Sequence, residues 1–145
     1  MFVMISSVFF EEDSRIVFAG TLYDAELLLM VRRGAFAYLH GHSVGGTNPS
    51  LLEAMGSTDV NLLYDVSFNR EVGADAALYW NRDPGSLSGL IEETERMDQT
   101  RRKETGEKAR AVIGQRYTWD KVVSSYESLF LSGSPESPET VRTDP

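Results

Sequence analysis

Short apolar runs alternate along the chain with longer segments in which apolar residues recur at helical spacing. The short runs predict buried strands, and the periodic segments predict amphipathic helices. The predicted strands are residues 15–19, 35–39, 60–64 and 76–80. Strands that alternate with helices are typical of a layered α/β domain with a mainly parallel sheet.

The helical segments have identifiable ends and faces. Asp24 is a suitable N-cap for a helix over residues 24–33, and Gly34 would stop that helix. The other predicted helices are residues 1–10, 49–55, a single turn at 69–72, 84–114 with a break at Gly106, and 119–131. The apolar face of the last helix is formed by Val122, Val123, Tyr126, Leu129 and Phe130. Residues 132–145 are rich in Ser, Pro, Glu and Thr and predict a disordered tail.

The composition fits a single domain and excludes several functions. The 145 residues contain no cysteine, which excludes disulfide scaffolds and thiolate metal sites. A formal net charge of −8 disfavours nucleic-acid binding and docking on an anionic membrane surface. No segment has the roughly 20 apolar residues that span a bilayer. Acidic residues follow the apolar residues 1–10 where a signal peptide would have small ones, so we expect a cytoplasmic location.

The predicted sheet is small for a doubly wound domain, which usually contains more strands. The apolar residues 1–10 also suggest neighbours that this sequence does not supply. We therefore expect a domain over residues 1–131 that is incomplete at its N-terminus.

The segment with the clearest chemistry is residues 38–55, which pass from a strand through a glycine-rich loop into a helix. Gly45 and Gly46 have no side chains, so an anion can approach the main chain closely. Asn48 is a good N-cap, and Pro49 suits the first helical position. Free N–H groups at a helix N-terminus, together with the helix dipole, favour a phosphate or diphosphate there.

Glu53 follows about one turn into the same helix. A carboxylate at that position can accept hydrogen bonds from both hydroxyls of a ribose, as acidic residues do in dinucleotide-binding folds. The alternative is a glycine turn followed by a solvent-facing glutamate, and the spacing alone leaves both interpretations open.

Two strings carry a resemblance to a known family. Residues 45–55 have the sequence GGTNPSLLEAM, and residues 65–72 have the sequence DVSFNREV. Together they resemble the carboxyl-terminal domain of family 4 glycosyltransferases of the GT-B architecture. The longer string HGHSVGGTNPSLLEAM, residues 40–55, is most similar to the rhamnosyltransferase-like branch. Residues 15–28 and 116–130 are similar to the family's preceding strand-loop-helix and its closing helix.

The resemblance implies a fold and an activity. The fold is α/β, a partial Rossmann-like parallel sheet with flanking helices that forms the carboxyl-terminal half-domain of a GT-B enzyme. The activity is retaining, metal-independent transfer of a hexosyl group, with rhamnosyl as one candidate. The donor is a nucleotide sugar and the acceptor a glycan or lipid-linked molecule, as in cell-surface polysaccharide assembly. The nucleotide sugar is a substrate, and no cofactor is implied.

The resemblance also assigns donor-binding residues. Glu53 matches the second glutamate of the Glu-x7-Glu motif, which binds the donor ribose. Gly45 stands where many relatives have the first glutamate, so the contacts to the donor sugar do not carry over. The remaining donor-site candidates are His42, Gly46, Thr47, Asn48 and Ser50, with Tyr23 and Asp24 in the loop that lines the nucleobase. No residue is assigned a catalytic role.

Parts of the family are absent from this sequence. The basic Arg/Lys pair that neutralises the leaving diphosphate precedes the matching region, and the acceptor-binding domain is missing. We therefore expect little or no transfer from this chain alone, and peripheral membrane association only for a full-length enzyme. The alternatives are a non-catalytic nucleotide-binding or interaction module and an epimerase-like protein of the same architecture.

Other residue patterns support weaker functions. His40 and His42 could bind a metal ion only with Glu53 and Asp65 as further ligands, and we expect no metal site. Ser43 lies near a histidine, but no nucleophile-elbow sequence surrounds it, which disfavours a hydrolase.

Some polar residues have both a functional and a structural interpretation, and other charged and aromatic residues have a structural one. Asn69 and Arg70 either reach the ligand cleft or close a loop by a local salt bridge. The charged residues 101–103 indicate a solvated helix face. Trp80 and Trp119 indicate core or interdomain packing.

Overall fold

A computed structural model describes residues 2–4, by their backbone, and residues 13–131. The strands are β1 (Phe2–Met4), β2 (Ile16–Phe18), β3 (Tyr38–His40), β4 (Asn61–Tyr64) and β5 (Leu78–Trp80). The helices are α1 (Ala25–Gly34), α2 (Pro49–Ser57), α3 (Ser67–Gly73), α4 (Ser86–Glu95), α5 (Gln99–Arg116) and α6 (Trp119–Leu131). The predicted alternation of strands and helices is confirmed.

The strands form two parallel sheets. One has the order β1-β2 and the other the order β3-β4-β5. Helix α2 connects β3 to β4, and α3 connects β4 to β5, because parallel neighbours need a crossover connection. The mixed α/β class with a parallel sheet flanked by helices is confirmed.

All strands of the larger sheet end at one edge, the carboxyl edge, at His40, Tyr64 and Trp80. The pairing register places His40 opposite Leu63 and Leu63 opposite Tyr79. Side chains on one strand alternate between the two faces, so these three side chains form a row on one face.

The hydrophobic core lies between this face of the sheet and helices α2 and α5. Its buried members are Leu51, Met55, Leu63, Val72, Ala76, Ala77 and Ala109. Tyr38 and Tyr79 pack against it from the sheet. Burial of Leu51 and Met55 fixes α2 against the sheet, and its N-terminus follows the loop that leaves the carboxyl edge at β3.

The predicted helix over residues 1–10 is wrong where the structure describes it. Residues 2–4 form β1, which pairs in parallel with β2. A short apolar run has no helical stripe that distinguishes it from a strand, so its partner decides its conformation. The rest of that segment, and the predicted tail over residues 132–145, lie outside the described residues.

The predicted break at Gly106 is also wrong. Helix α5 continues through Gly106. The break lies earlier, between α4 and α5, where Asp98 caps α5 by accepting a hydrogen bond from the Arg101 amide at 2.8 Å. Gly106 is buried against Asp59, and a Cβ there would lie 2.8 Å from the Asp59 Cα. The glycine therefore permits close packing inside the helix. Helix α1 ends at Gly34, which belongs to the helix as its last residue and does not follow it as predicted.

Among the helices of the described residues, α1 and α6 bury no residue. In α1 the predicted apolar stripe at Leu27, Leu28 and Val31 is partly exposed. In α6 the predicted amphipathic pattern is confirmed, but its apolar face is open, with Trp119 83 % and Phe130 77 % exposed. The packing role predicted for Trp119 is therefore not met within the described chain.

Candidate functional site

The loop of residues 41–48, the glycine loop, connects the carboxyl end of β3 to α2. The predicted N-cap is confirmed, because the Asn48 side chain accepts a hydrogen bond from the Ser50 amide at 2.9 Å. Pro49 is the first helical residue, as predicted. Since the Ser50 amide is already bonded to Asn48, an anion at this helix has to be bound by the amides that precede the cap.

Those preceding amides are free. Residues 43–47 are exposed, and none of their N–H groups donates a hydrogen bond within the part of the chain that the structure describes. Gly45 has a φ of +122°, a conformation that residues with a Cβ rarely adopt. A Cβ added at Gly45 or Gly46 would meet nothing within 4 Å, so the space beside both glycines is open.

Asn69 fastens the glycine loop to the sheet. Its side chain is fully buried, and Nδ2 donates to the carbonyl of His42 at 3.1 Å and to the carbonyl of Tyr64 at 2.9 Å. The loop is thereby tied to the carboxyl end of β4. Asn69 reaches the glycine loop, and its reach into a ligand cleft stays a prediction.

Arg70, the neighbour of Asn69, has a different role. Its guanidinium forms an ion pair with Asp65 and lies 4.3 Å from the centre of the Tyr79 ring. Bonding to Arg70 is the main cause that lowers the pKa of Asp65 below its ordinary value. The local salt bridge predicted as one alternative for Arg70 is confirmed.

Three aromatic rings stack along β3 toward the glycine loop. The ring centroids of Tyr38 and His40 are 5.9 Å apart, and those of His40 and His42 are 4.7 Å apart. The Tyr38 hydroxyl lies 3.3 Å from His40 Nδ1. Burial, and to a smaller extent the neighbouring His42, lower the pKa of His40 to about 4. The buried imidazole is therefore neutral at neutral pH.

Several buried polar atoms near the carboxyl edge have no hydrogen-bond partner among the described residues. They are His40 Nε2, Asn69 Oδ1 and Trp80 Nε1. His40 and Trp80 end their strands, and Asn69 bonds to the end of a third. Unpaired polar atoms are rare in protein interiors, and a group of them marks a place that a bound polar group can complete.

Glu53, the predicted ribose ligand, lies on α2 and pairs with α1. Its Oε2 accepts a hydrogen bond from Arg32 Nη1 at 2.7 Å, with the Glu53 side chain 57 % exposed and that of Arg32 11 % exposed. Thr58 also joins the two helices, because its hydroxyl donates to the Arg32 carbonyl at 3.0 Å. Within the described ranges no residue donates to Glu53 Oε1.

The predicted nucleobase loop is not joined to the glycine loop. The Asp24 carboxylate caps α1 by accepting from the amides of Glu26 at 2.9 Å and Leu27 at 3.0 Å, which confirms its predicted capping role. Tyr23 is exposed. Over residues 13–131, no hydrogen bond or ring contact connects Tyr23 or Asp24 to residues 41–48.

The described residues contain neither a group of metal ligands nor a helix that could span a membrane. Among residues 2–4 and 13–131, no three His, Cys, Asp or Glu side chains are grouped as metal ligands. The imidazoles of His40 and His42 stack at 20° between their planes. Over the same residues, every helix is too short or too polar to cross a bilayer.

Sequence reasoning missed Asn69 as an anchor, the unpaired nitrogen of His40 and the partnership of Arg32 with Glu53. The available signal for Asn69 was a polar side chain in the short segment that follows β4, and its target could not be read from the sequence. No family model matches the sequence, and a search of curated proteins finds no match. The resemblance to glycosyltransferases therefore rests on the quoted strings alone.

Proposed function

We propose that the chain binds the diphosphate of a nucleotide-sugar donor at the glycine loop and serves as the donor-binding half of a GT-B glycosyltransferase. The observation that supports this proposal is the run of exposed, unbonded amides at residues 43–47, which directly precedes α2. The positive end of the α2 dipole adds to their attraction for an anion. The loop leaves the sheet at its carboxyl edge, where α/β proteins usually bind nucleotides.

The amides have a chemical role in sugar transfer. The bond between the anomeric carbon and the diphosphate oxygen breaks, and negative charge grows on that oxygen. N–H groups already aimed at the charge stabilise it without reorganisation at the moment of reaction. Asn69 contributes by holding the His42 carbonyl, which fixes the end of the loop that leaves β3.

Glu53 completes the nucleotide site in this proposal. Arg32 holds one carboxylate oxygen, and Oε1 remains available to accept a hydrogen bond from a ribose hydroxyl. A carboxylate oxygen has more than one acceptor position, so the ion pair with Arg32 and ribose binding are compatible. The motif that contains Glu53 supports the assignment by resemblance.

A non-catalytic binding module is the second candidate. The open apolar face of α6 favours it, because exposed apolar surface of this kind is typical of interaction sites. Both candidates bind nucleotide at the glycine loop, and they differ in turnover. Acceptor-dependent release of nucleoside diphosphate after an acceptor-binding domain has been joined to this chain supports the transferase.

The binding experiment uses the whole chain with UDP, GDP and dTDP while thermal unfolding is followed. We expect one of them to raise the melting temperature, since a ligand at 100 times its Kd stabilises by about 2.7 kcal/mol. Gly45→Val should abolish the shift, because valine disfavours the φ of Gly45 and its side chain would occupy the open space that the anion needs. Absence of any shift at millimolar nucleotide would contradict the proposal.

A matched pair of variants tests the ribose assignment. Glu53→Gln and Arg32→Met both break the same ion pair, but only Glu53→Gln removes the carboxylate. We expect Glu53→Gln to weaken nucleotide binding about tenfold, as loss of a charge-assisted hydrogen bond does, and Arg32→Met to weaken it much less. Equal losses would mean that Glu53 acts only through the contact of α2 with α1.

A further inference from the structure

Two buried side chains that contact His42, the residue before the free amides of the glycine loop, each leave one polar atom without a partner among the described residues. His40 is 1 % exposed and Asn69 is fully buried. His40 Nε2 and Asn69 Oδ1 have no hydrogen-bond partner in the described part of the chain. Unpaired buried polar atoms of this kind destabilise a fold, so their presence points to a group that binds there from outside the chain.

The chemical character of each atom follows from its neighbours. Asn69 Nδ2 donates to the carbonyls of His42 and Tyr64, which fixes the orientation of the amide and leaves Oδ1 as an acceptor. The Tyr38 hydroxyl lies 3.3 Å from His40 Nδ1, and in the tautomer in which that phenol donates, the ring proton of the neutral imidazole is on Nε2. Nε2 is then a donor, so the two orphaned atoms have complementary roles.

Both groups contact the same loop residue. The His40 ring stacks on His42, and Asn69 bonds to the His42 carbonyl. His42 immediately precedes the free amides of residues 43–47. Both side chains therefore contact the residue that immediately precedes the proposed diphosphate site.

We infer that His40 and Asn69 recognise one hydroxyl of the donor's sugar ring. A hydroxyl accepts one hydrogen bond and donates another, which matches an N–H beside a carbonyl oxygen. The sugar is attached directly to the diphosphate, so its hydroxyls lie within reach of groups beside the diphosphate site. This inference rests on the proposed function and adds to it a sugar-specificity role for two buried residues.

The hydroxyl reaches these atoms through a shift of the glycine loop. Both orphaned atoms are shielded from solvent in the present loop conformation. Gly41, Gly45 and Gly46 lie within the loop, and glycines allow backbone changes at little steric cost. Recognition of the hydroxyl and the shift of the loop then occur in the same binding step.

The test compares each nucleoside diphosphate with its sugar ester on the whole chain. Calorimetric titration gives the Kd of UDP and UDP-glucose, GDP and GDP-mannose, and dTDP and dTDP-rhamnose. The ratio of the two Kd values within a pair measures what the sugar adds. We expect the wild-type chain to bind one sugar ester at least about tenfold more tightly than its nucleotide, the gain expected from a buried hydrogen-bonding site.

Two variants of His40 separate recognition from folding. His40→Phe keeps a flat ring but removes the donor, and it should abolish the sugar-dependent gain while leaving the Kd of the nucleotide within about twofold. His40→Gln, whose amide can place an N–H near the position of Nε2, should restore part of the gain. Wild-type titrations with analogues in which one sugar hydroxyl is replaced by hydrogen need no variant. The analogue that lacks the recognised hydroxyl should bind the wild-type chain without the sugar-dependent gain. Its affinity should not fall further with His40→Phe.

The outcomes distinguish the two proposals. If no nucleotide binds, both the proposed function and the hydroxyl site are overturned. If the nucleotide binds and His40→Phe keeps the full sugar-dependent gain, the proposed function stands and the hydroxyl site is overturned. The orphaned atoms would then be served by a buried water with no part in recognition.

Discussion

His40 illustrates how burial changes the chemistry of a single residue. Removal from water disfavours the charged imidazole and, with the nearby His42, lowers its pKa to about 4 from an ordinary value of 6.5. Between those two values the unfolded chain binds a proton that the folded chain does not. Above pH 6.5 the neutral imidazole does not reduce the free energy of unfolding. As the pH falls from 6.5 toward 4, its protonation in the unfolded chain reduces that free energy increasingly.

We predict an acid-induced loss of stability that depends on His40. Between about pH 7 and pH 4, His40 should lower the free energy of unfolding by on the order of 2 kcal/mol. Denaturation by urea at a series of pH values measures this slope, and His40→Phe should flatten it. His42→Phe is the comparison variant: it removes only the smaller of the two causes that lower the pKa of His40, so most of the slope should remain. Identical slopes for the wild-type chain and His40→Phe would refute the assignment.

At this scale, local hydrogen bonds were predictable and distant ones were not. Asp24 and Asn48 cap helices by bonding to amides two or three residues away, so the sequence contains all the information needed. The bond from Asn69 to His42 spans 27 residues, and that between Arg32 and Glu53 spans 21. Such pairs depend on how the elements pack, and the residue types alone do not specify it.

Among the elements, α5 shows a glycine used for close packing inside a helix. A Cβ at Gly106 would overlap with Asp59 Oδ1 and would also lie close to the Asp59 Cα. Because the backbone of Asp59 is involved, a side-chain rotation cannot relieve the clash. The contact between α5 and the segment before β4 therefore depends on the absence of a side chain.

Two glycine substitutions in α5 should have opposite effects. Gly106→Ala should destabilise the chain by about 1–3 kcal/mol, the usual cost of overpacking. Gly114→Ala has open space around its Cβ and should stabilise by up to about 1 kcal/mol, because alanine favours helix more than glycine. Chemical denaturation measures both. A destabilised Gly114→Ala or an unchanged Gly106→Ala would contradict the packing described for α5.

Element prediction succeeded where a strong end signal accompanied the periodicity. Helix α2 begins at Pro49 after the Asn48 cap, as predicted from that pair of residues. The start of α5 carries a comparable signal in Asp98, which the predicted break at Gly106 does not use. Strand β1 has no end signal, and its pairing with β2 arises only in the folded chain.

Across the whole molecule, burial is unevenly distributed. Leu51 and the rest of the core are fully enclosed around α2 and α5, whereas α6 buries no residue. The α/β class could be predicted from the alternation of periods. The division of the strands into a pair and a set of three could not, because periodicity does not reveal which strands are neighbours.

We predict that α6 contributes little to folding stability. Tyr126→Ser and Phe130→Ser should change the free energy of unfolding by less than about 0.5 kcal/mol, since both rings are exposed. Leu51→Ala, in the core, should cost about 2–5 kcal/mol. Sedimentation velocity should show less self-association in the two serine variants than in the wild-type chain. A loss of stability in the serine variants comparable to that of Leu51→Ala would show that α6 packs against the chain.

The stack of Tyr38, His40 and His42 provides an intrinsic reporter. The chain contains two histidines, and both belong to this stack, one buried and one in the glycine loop. An NMR spectrum of the imidazole protons therefore contains signals from this one region only. Their chemical shifts and line widths should follow opening of the loop without any label or added probe.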